Sequence, residues 1–229
     1  MKETKNNHWK RVAIEAVTIV GSILFAFAID AWWDTTQERK EERGLLSVLL
    51  AEFEANQKVI AQTAYVHRLT LDAMKDIVSK SESESSTYDA AMQETFRLAA
   101  VTPHYNPATG ALAAAISSGH IVLVRNVALR NRLAGWNAVI SDLVLDEQTR
   151  RDFVVHELSP AFAEFGIGGA VSVTKGTETD FSAAMKSRQL LANLRSQIQQ
   201  VTHLVTHFDE AGQATQDMIS DLSEELESL

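Results

Sequence analysis

In the stretch THLVTHFDE, His203 and His207 stand four residues apart and Glu210 follows three later. On a helix, that spacing puts two imidazoles and a carboxylate on one face, a set that can hold a borderline divalent metal. The HExxH order of zinc peptidases is absent. All three residues lie beside the apolar stripe of their helix, where water competes for any cation. The sequence therefore assigns no metal, and His203, His207 and Glu210 are the candidates if one binds. His67 falls in an apolar seam with Gln57, and a buried polar residue there can fix register at a cost in stability. A hydrogen-bonded core histidine is expected at His67 in preference to a pH sensor. His156-Glu157 is too local for an acid–base pair. No nucleophile elbow, phosphate loop or kinase signature is present. The glycines of FGIGGAVSVTKGTE lack the preceding strand and spacing of a dinucleotide fingerprint. No enzyme activity, catalytic residue or cofactor is expected.

These side chains must be positioned by helices. The chain has 229 residues, a net charge of −9, 45% hydrophobic residues, three prolines and no cysteine. That composition suits long helices and excludes disulfides and thiolate metal sites. No Lys or Arg follows Arg195, while seven carboxylates do. This is a solvated helix end or a dock for a basic partner. Nucleic acid is not an expected partner, because phosphate binding needs a basic face.

The N-terminal end reads as a membrane anchor. A basic leader, residues 1–11, precedes an apolar stretch from Val12 to Trp33. Its 22 residues make about 33 Å of helix, against a bilayer core of about 30 Å. Trp9 on one side and Trp32 with Trp33 on the other match interfacial anchors. Ala26-Phe27-Ala28 also fits a signal-peptide cleavage site, but Glu15 at the start of the run and the Trp pair just after the site favour a retained span. Lys2, Lys5, Lys10 and Arg11 outnumber Arg39, Lys40 and Arg43, which places the N-terminus inside. Thr18, Ser22 and Ala26 form a small-residue stripe between Glu15 and Asp30. Such a stripe is expected to be a helix-association face, with a pore lined by the two acids as the extreme alternative.

Beyond the span, a charged exit helix over 34–80 carries a heptad seam through Leu46, Leu50, Phe53, Gln57, Ile60, Ala64, His67, Leu71, Met74 and Val78. Ser79 to Thr87 is a polar loop, and a second helix covers about Tyr88 to Val101. TPHYNPATG is a turn whose Gly110 can take a left-handed conformation. A short helix then leads to Ser117-Ser118-Gly119. Asn126 caps a helix with Leu129, Leu133, Trp136, Ile140 and Leu143 on one face, expected to end at Ser159-Pro160. Ser187 caps the last helix, whose broad stripe includes Leu191, Leu194, Ile198, Val201, Val205, Phe208, Ile219 and Leu222, flanked by Leu190, Leu204, Ala211 and Met218. Phe208 and Leu222 should be buried, and Gln199 and Gln213 exposed. Residues 81–229 thus complete a multi-helix bundle.

FAIDAWWDTTQERKEERGLLSVLLAEFEAN, followed by ISSGHIVLVRNVALRNRLAGW, resembles a bacterial family of uncharacterised single-span membrane proteins. Members share an N-terminal span, a charged helical exit and an SSG…N..LR..L segment, here Ser117 through Leu133. The resemblance implies architecture, not chemistry, and favours a retained span. The expected fold is all-α: one transmembrane helix continuing into a long helix, then an antiparallel helical bundle. The expected function is a membrane-anchored interaction or scaffolding protein that is oligomeric, through itself or another membrane protein. A bundle that binds a small molecule, as sensors do, is the alternative. The expected location is the inner membrane, with the helical domain in the periplasm.

Overall fold

A single helix, α1 (Thr4–Ser81), carries the apolar stretch and the exit segment without a break. Its 78 residues extend about 117 Å. No proline interrupts it, and Gly44 costs about 1 kcal/mol at most. The computed structural model describes residues 4–83, 90–168 and 179–229, and every regular element among them is helical. From Trp9 to Glu41 no side chain is buried; Glu42 is the first that is. The segments read as 12–33 and 34–80 are therefore two environments of one helix, and packing begins nine residues beyond Trp33.

Among the described residues there are seven α-helices, in order α1, α2 (Ala90–Ala99), α3 (Gly110–Ser117), α4 (Val127–Phe153), α5 (Ser159–Ala163), α6 (Phe181–Lys186) and α7 (Arg188–Ser228). A 3-10 turn (His120–Leu123) precedes α4, and a π turn (Val154–Leu158) joins α4 to α5. Helices α1 and α7 pack antiparallel. Glu82 pairs with Arg195, Arg68 with Asp209, and a Cβ added at Gly212 would stand 3.5 Å from the Ile60 side chain. Helix α4 is also antiparallel to α7, through Arg132–Asp221 near one end and Arg150–Gln197 near the other.

The caps expected at Asn126 and Ser187 are formed. The Asn126 side chain accepts from the amides of Ala128 and Leu129, and that of Ser187 from Leu190. The α4 stripe from Leu129 to Leu143 is buried, as are Phe208 and Leu222, while Gln199 and Gln213 are exposed. The seams centre slightly off the expected lines. On α7 the deepest positions are Leu190, Leu194, Gln197, Val201, Leu204, Phe208, Ala211, Thr215, Met218 and Leu222, and Leu191, Ile198, Val205 and Ile219 form a half-buried flank. On α1, Leu49, Asn56, Thr63, Thr70 and Ile77 are buried, while Leu50, Gln57 and Val78 are only partly covered.

Three polar side chains of α1 fasten the irregular segment between α2 and α4. Asn56 makes a two-way amide pairing with the Ala108 peptide, each bond 2.7 Å. Glu52 accepts from the amides of Ala111 and Leu112, at 2.6 and 3.1 Å. It thereby caps α3 from a neighbouring helix, satisfying donors that no intrahelical carbonyl can reach. Glu42, fully buried, accepts from the Arg125 amide at 2.7 Å.

Two expectations are corrected. Gly110 is not left-handed: it opens α3, and the positive φ belongs to Gly119 (77°) at the end of SSG. Ser159-Pro160 does not end a helix. The preceding residues widen into the π turn, and Pro160 then sits in the first turn of α5, where its missing N–H costs nothing. Residues 84–87 of the polar stretch Ser79 to Thr87, the helix start expected at Tyr88, and most of FGIGGAVSVTKGTE lie outside the described residues.

Candidate functional site

The core is two apolar clusters. One, nearer the apolar stretch, includes Leu46, Phe53, Trp136, Leu143 and Phe208; the other includes Met74, Phe96, Phe162, Leu190 and Val201. Between them lies a buried polar layer made by His67 and Thr70 from α1, Glu147 and Arg150 from α4, and Gln197 from α7. Arg150 donates to the Gln197 side chain at 2.8 Å and to the Val101 carbonyl at 3.2 Å. Thr70 reaches the same carbonyl at 3.4 Å, and the Gln197 amide passes to Gln200 at 2.9 Å. Glu147 accepts from Arg151 at 2.6 Å. Burial draws the Arg150 guanidinium down to about 10, opposed by the Glu147 charge, so it stays protonated at neutral pH.

His67 is in the core, as expected, but not as a hydrogen-bonded histidine. Neither ring nitrogen has a protein partner, and the ring packs against Phe208 at 5.3 Å between centroids. Burial, reinforced by the Arg150 charge, pushes its pKa down to about 3. A neutral imidazole that far below physiological pH does not sense pH there. Tyr105 flanks the other side of Phe208, also at 5.3 Å, and burial pushes its phenol up to about 12.

On the solvent side of this layer, α4 and α7 leave an open cleft of about 420 Å3, lined by Asp146, Thr149, Arg150, Gln199, Gln200, His203 and Leu204. His203 lines this cleft, and His207 lines the neighbouring one. The His203 and His207 rings are 4.0 Å apart, and His207 Nδ1 lies 2.7 Å from an Asp146 carboxylate oxygen. One donor atom from each of Asp146, His203 and His207 lies within 4.8 Å of the others. Glu210 is not in this cluster. It lines a neighbouring cleft with Asp142 on the far side of His207, so the carboxylate that meets the histidines comes from α4. Trp136, stacked edge-on against Phe53 at 4.9 Å, is core and not cleft.

Sequence reading found the histidines but missed Asp146, Glu147, Arg150 and Gln197. A signal for three of them was present. The α4 stripe Leu129, Leu133, Trp136, Ile140, Leu143 continues by the same steps onto Glu147 and Arg150, and the α7 stripe passes through Gln197. Charged or amide groups on a core stripe mark buried polar contacts. Asp146 required the α4–α7 register.

The residues assigned to the membrane are all exposed. Trp9, Trp32 and Trp33 are each more than 60% accessible, and Trp9 and Trp32 are about 35 Å apart along the helix. Among the described residues, this is the one helix long and apolar enough to cross a membrane. Thr18 and Ser22 return their hydroxyls to the carbonyls of Ile14 and Thr18, at 2.8 and 2.7 Å. Those groups are thus satisfied within the helix and impose no polar cost on a lipid-facing or helix-facing surface. Ala26 is likewise exposed. No protein-family model, curated protein or solved structure matches the chain.

Proposed function

We propose that the chain is a single-span membrane protein of the kind its exit helix resembles. In this reading an antiparallel helical bundle is held on the periplasmic side of the inner membrane and serves as an interaction or scaffolding domain. The observation that carries this reading is the division of α1. Apolar side chains from Val12 to Trp33 have no protein cover, the next eight residues are polar and none is buried, and the same helix then becomes a wall of the core. Large exposed apolar surface is stable only against lipid or another protein. The spacer holds the first core residue, Glu42, about 14 Å along the helix from Trp33.

Self-association through Thr18, Ser22 and Ala26 is the mode the stripe supports, because small residues let helices approach closely in lipid. Ser22→Leu is expected to convert the oligomer to monomer, and Leu24→Ile, off the stripe, to leave it unchanged. Native mass spectrometry in detergent reads both. A monomeric wild type, or an intact Ser22→Leu oligomer, removes self-association. Affinity capture from solubilised membranes then tests the scaffold reading against a different membrane partner.

A second reading, a bundle that binds a small ligand, is favoured by the cleft between α4 and α7, where Arg150 and two glutamines offer donors beside apolar Leu204.

A further inference from the structure

We propose that Asp146, His203 and His207 form a site for one divalent transition-metal ion of the zinc class, bridging α4 and α7 with a coordination position open to the cleft. The helical spacing of four sets the two imidazoles side by side, with ring centroids 4.0 Å apart and planes tilted by 58°. The antiparallel register of α4 on α7 adds the carboxylate, and the three donor atoms already lie within 4.8 Å of each other. Tetrahedral ligands at zinc distances are separated by about 3.3 Å, so no donor pair needs to close by more than about 1.5 Å. The 2.7 Å contact of His207 Nδ1 with Asp146 allows a second arrangement of the same residues. There, Asp146 orients His207 while Nε2 binds the metal, as carboxylates do for zinc-bound histidines.

The donor set selects the ion. Two neutral imidazoles and one carboxylate suit Zn2+, Co2+ or Ni2+, whereas Mg2+ and Ca2+ prefer oxygen. Three protein ligands leave a fourth position, and here the open cleft adjoins it. Arg150 lines the same cleft, but its guanidinium is held by Gln197 and the Val101 carbonyl. The inference does not depend on the scaffold reading, and binding to a monomer or an oligomer satisfies it equally.

The test uses the whole chain in detergent, purified without a histidine tag and stripped with chelator. Calorimetric titration with Zn2+ is expected to give one ion per chain. Co2+ is expected to give the visible d–d absorption of a low-symmetry nitrogen–oxygen site. Zn2+ is expected to raise Tm, because it binds the folded register and not the separated helices. His203→Ala, His207→Ala and Asp146→Ala each weaken binding by about tenfold or more and abolish the Tm rise. Their metal-free Tm and circular dichroism report that the fold is kept. His120→Ala, far along the chain, leaves binding unchanged. Absence of binding by wild type overturns the site. Binding undiminished by the histidine changes does the same, placing the ion elsewhere, such as on the acidic end of α7. Loss on the histidine changes but not on Asp146→Ala overturns the bridge between α4 and α7.

Discussion

Phe208→Ala is expected to cost about 3–5 kcal/mol of unfolding free energy. Phe208 is fully buried on α7 and is the ring against which both His67 and Tyr105 stack. Its removal leaves a cavity whose walls come from α1 and the segment after α2, and these cannot collapse without disturbing the polar layer. Against a typical total of about 5–15 kcal/mol, such a loss removes a large share of the domain's stability. Urea unfolding of the detergent-solubilised chain, followed by near-ultraviolet circular dichroism, measures it. A change under about 1 kcal/mol would mean that α7 does not pack on α1 through this residue.

The second large effect is acid sensitivity from His67. Its pKa falls from 6.5 in the unfolded chain to about 3 in the folded one. Below pH 6.5 the unfolded state binds a proton that the folded state refuses. The stability contributed by the neutral ring is therefore complete above about pH 6.5 and is lost progressively as pH drops toward 3. The slope approaches about 1.4 kcal/mol per pH unit, on the order of 4 kcal/mol across the window. His67→Leu cannot take up the proton and leaves no buried ring nitrogen unpartnered. It is expected to match or exceed wild type at pH 7 and to gain over it steadily on acidification. Taking the difference between the two chains cancels every other titrating group. Parallel stability curves from pH 7 to pH 4 would show that His67 reaches water or a partner in the folded state.

The long helices and the caps at Asn126 and Ser187 were legible in the sequence because they follow from local physics, whereas the short α5 and α6 were not. Asn126 and Ser187 stand immediately before their helices and satisfy amides two or three residues on. The unbroken α1 follows from the absence of proline before residue 103. Whatever depends on two distant elements meeting was not legible. Asn56 and Glu52 gain their partners 52 to 60 residues away, and Asp146 reaches His207 across 61. Only the register of α1, α4 and α7 brings these together. Period alone also left the seam centre uncertain by one position on α1 and α7, because both helices carry apolar residues on either side of it. The passage through Pro160 was missed because the rule that proline stops a helix assumes α geometry before it, and the π turn relaxes that geometry. At the histidine pair, the residue types were visible, but the carboxylate that lies beside them is Asp146 of α4 and not Glu210 of the same helix.

The chain has no cysteine, so single-cysteine variants report position cleanly. Leu24→Cys, Glu41→Cys and Gln213→Cys sample the apolar stretch, the bare spacer and the outer face of α7, all exposed on the isolated chain. A membrane-impermeant maleimide applied to intact spheroplasts is expected to label the Glu41 and Gln213 variants. The Leu24 variant is expected to stay unlabelled until detergent dissolves the bilayer. Labelling at position 24 as readily as at 41 in intact membranes would contradict a spanning α1. Labelling at 41 and 213 only after lysis would put the helical domain on the cytoplasmic side.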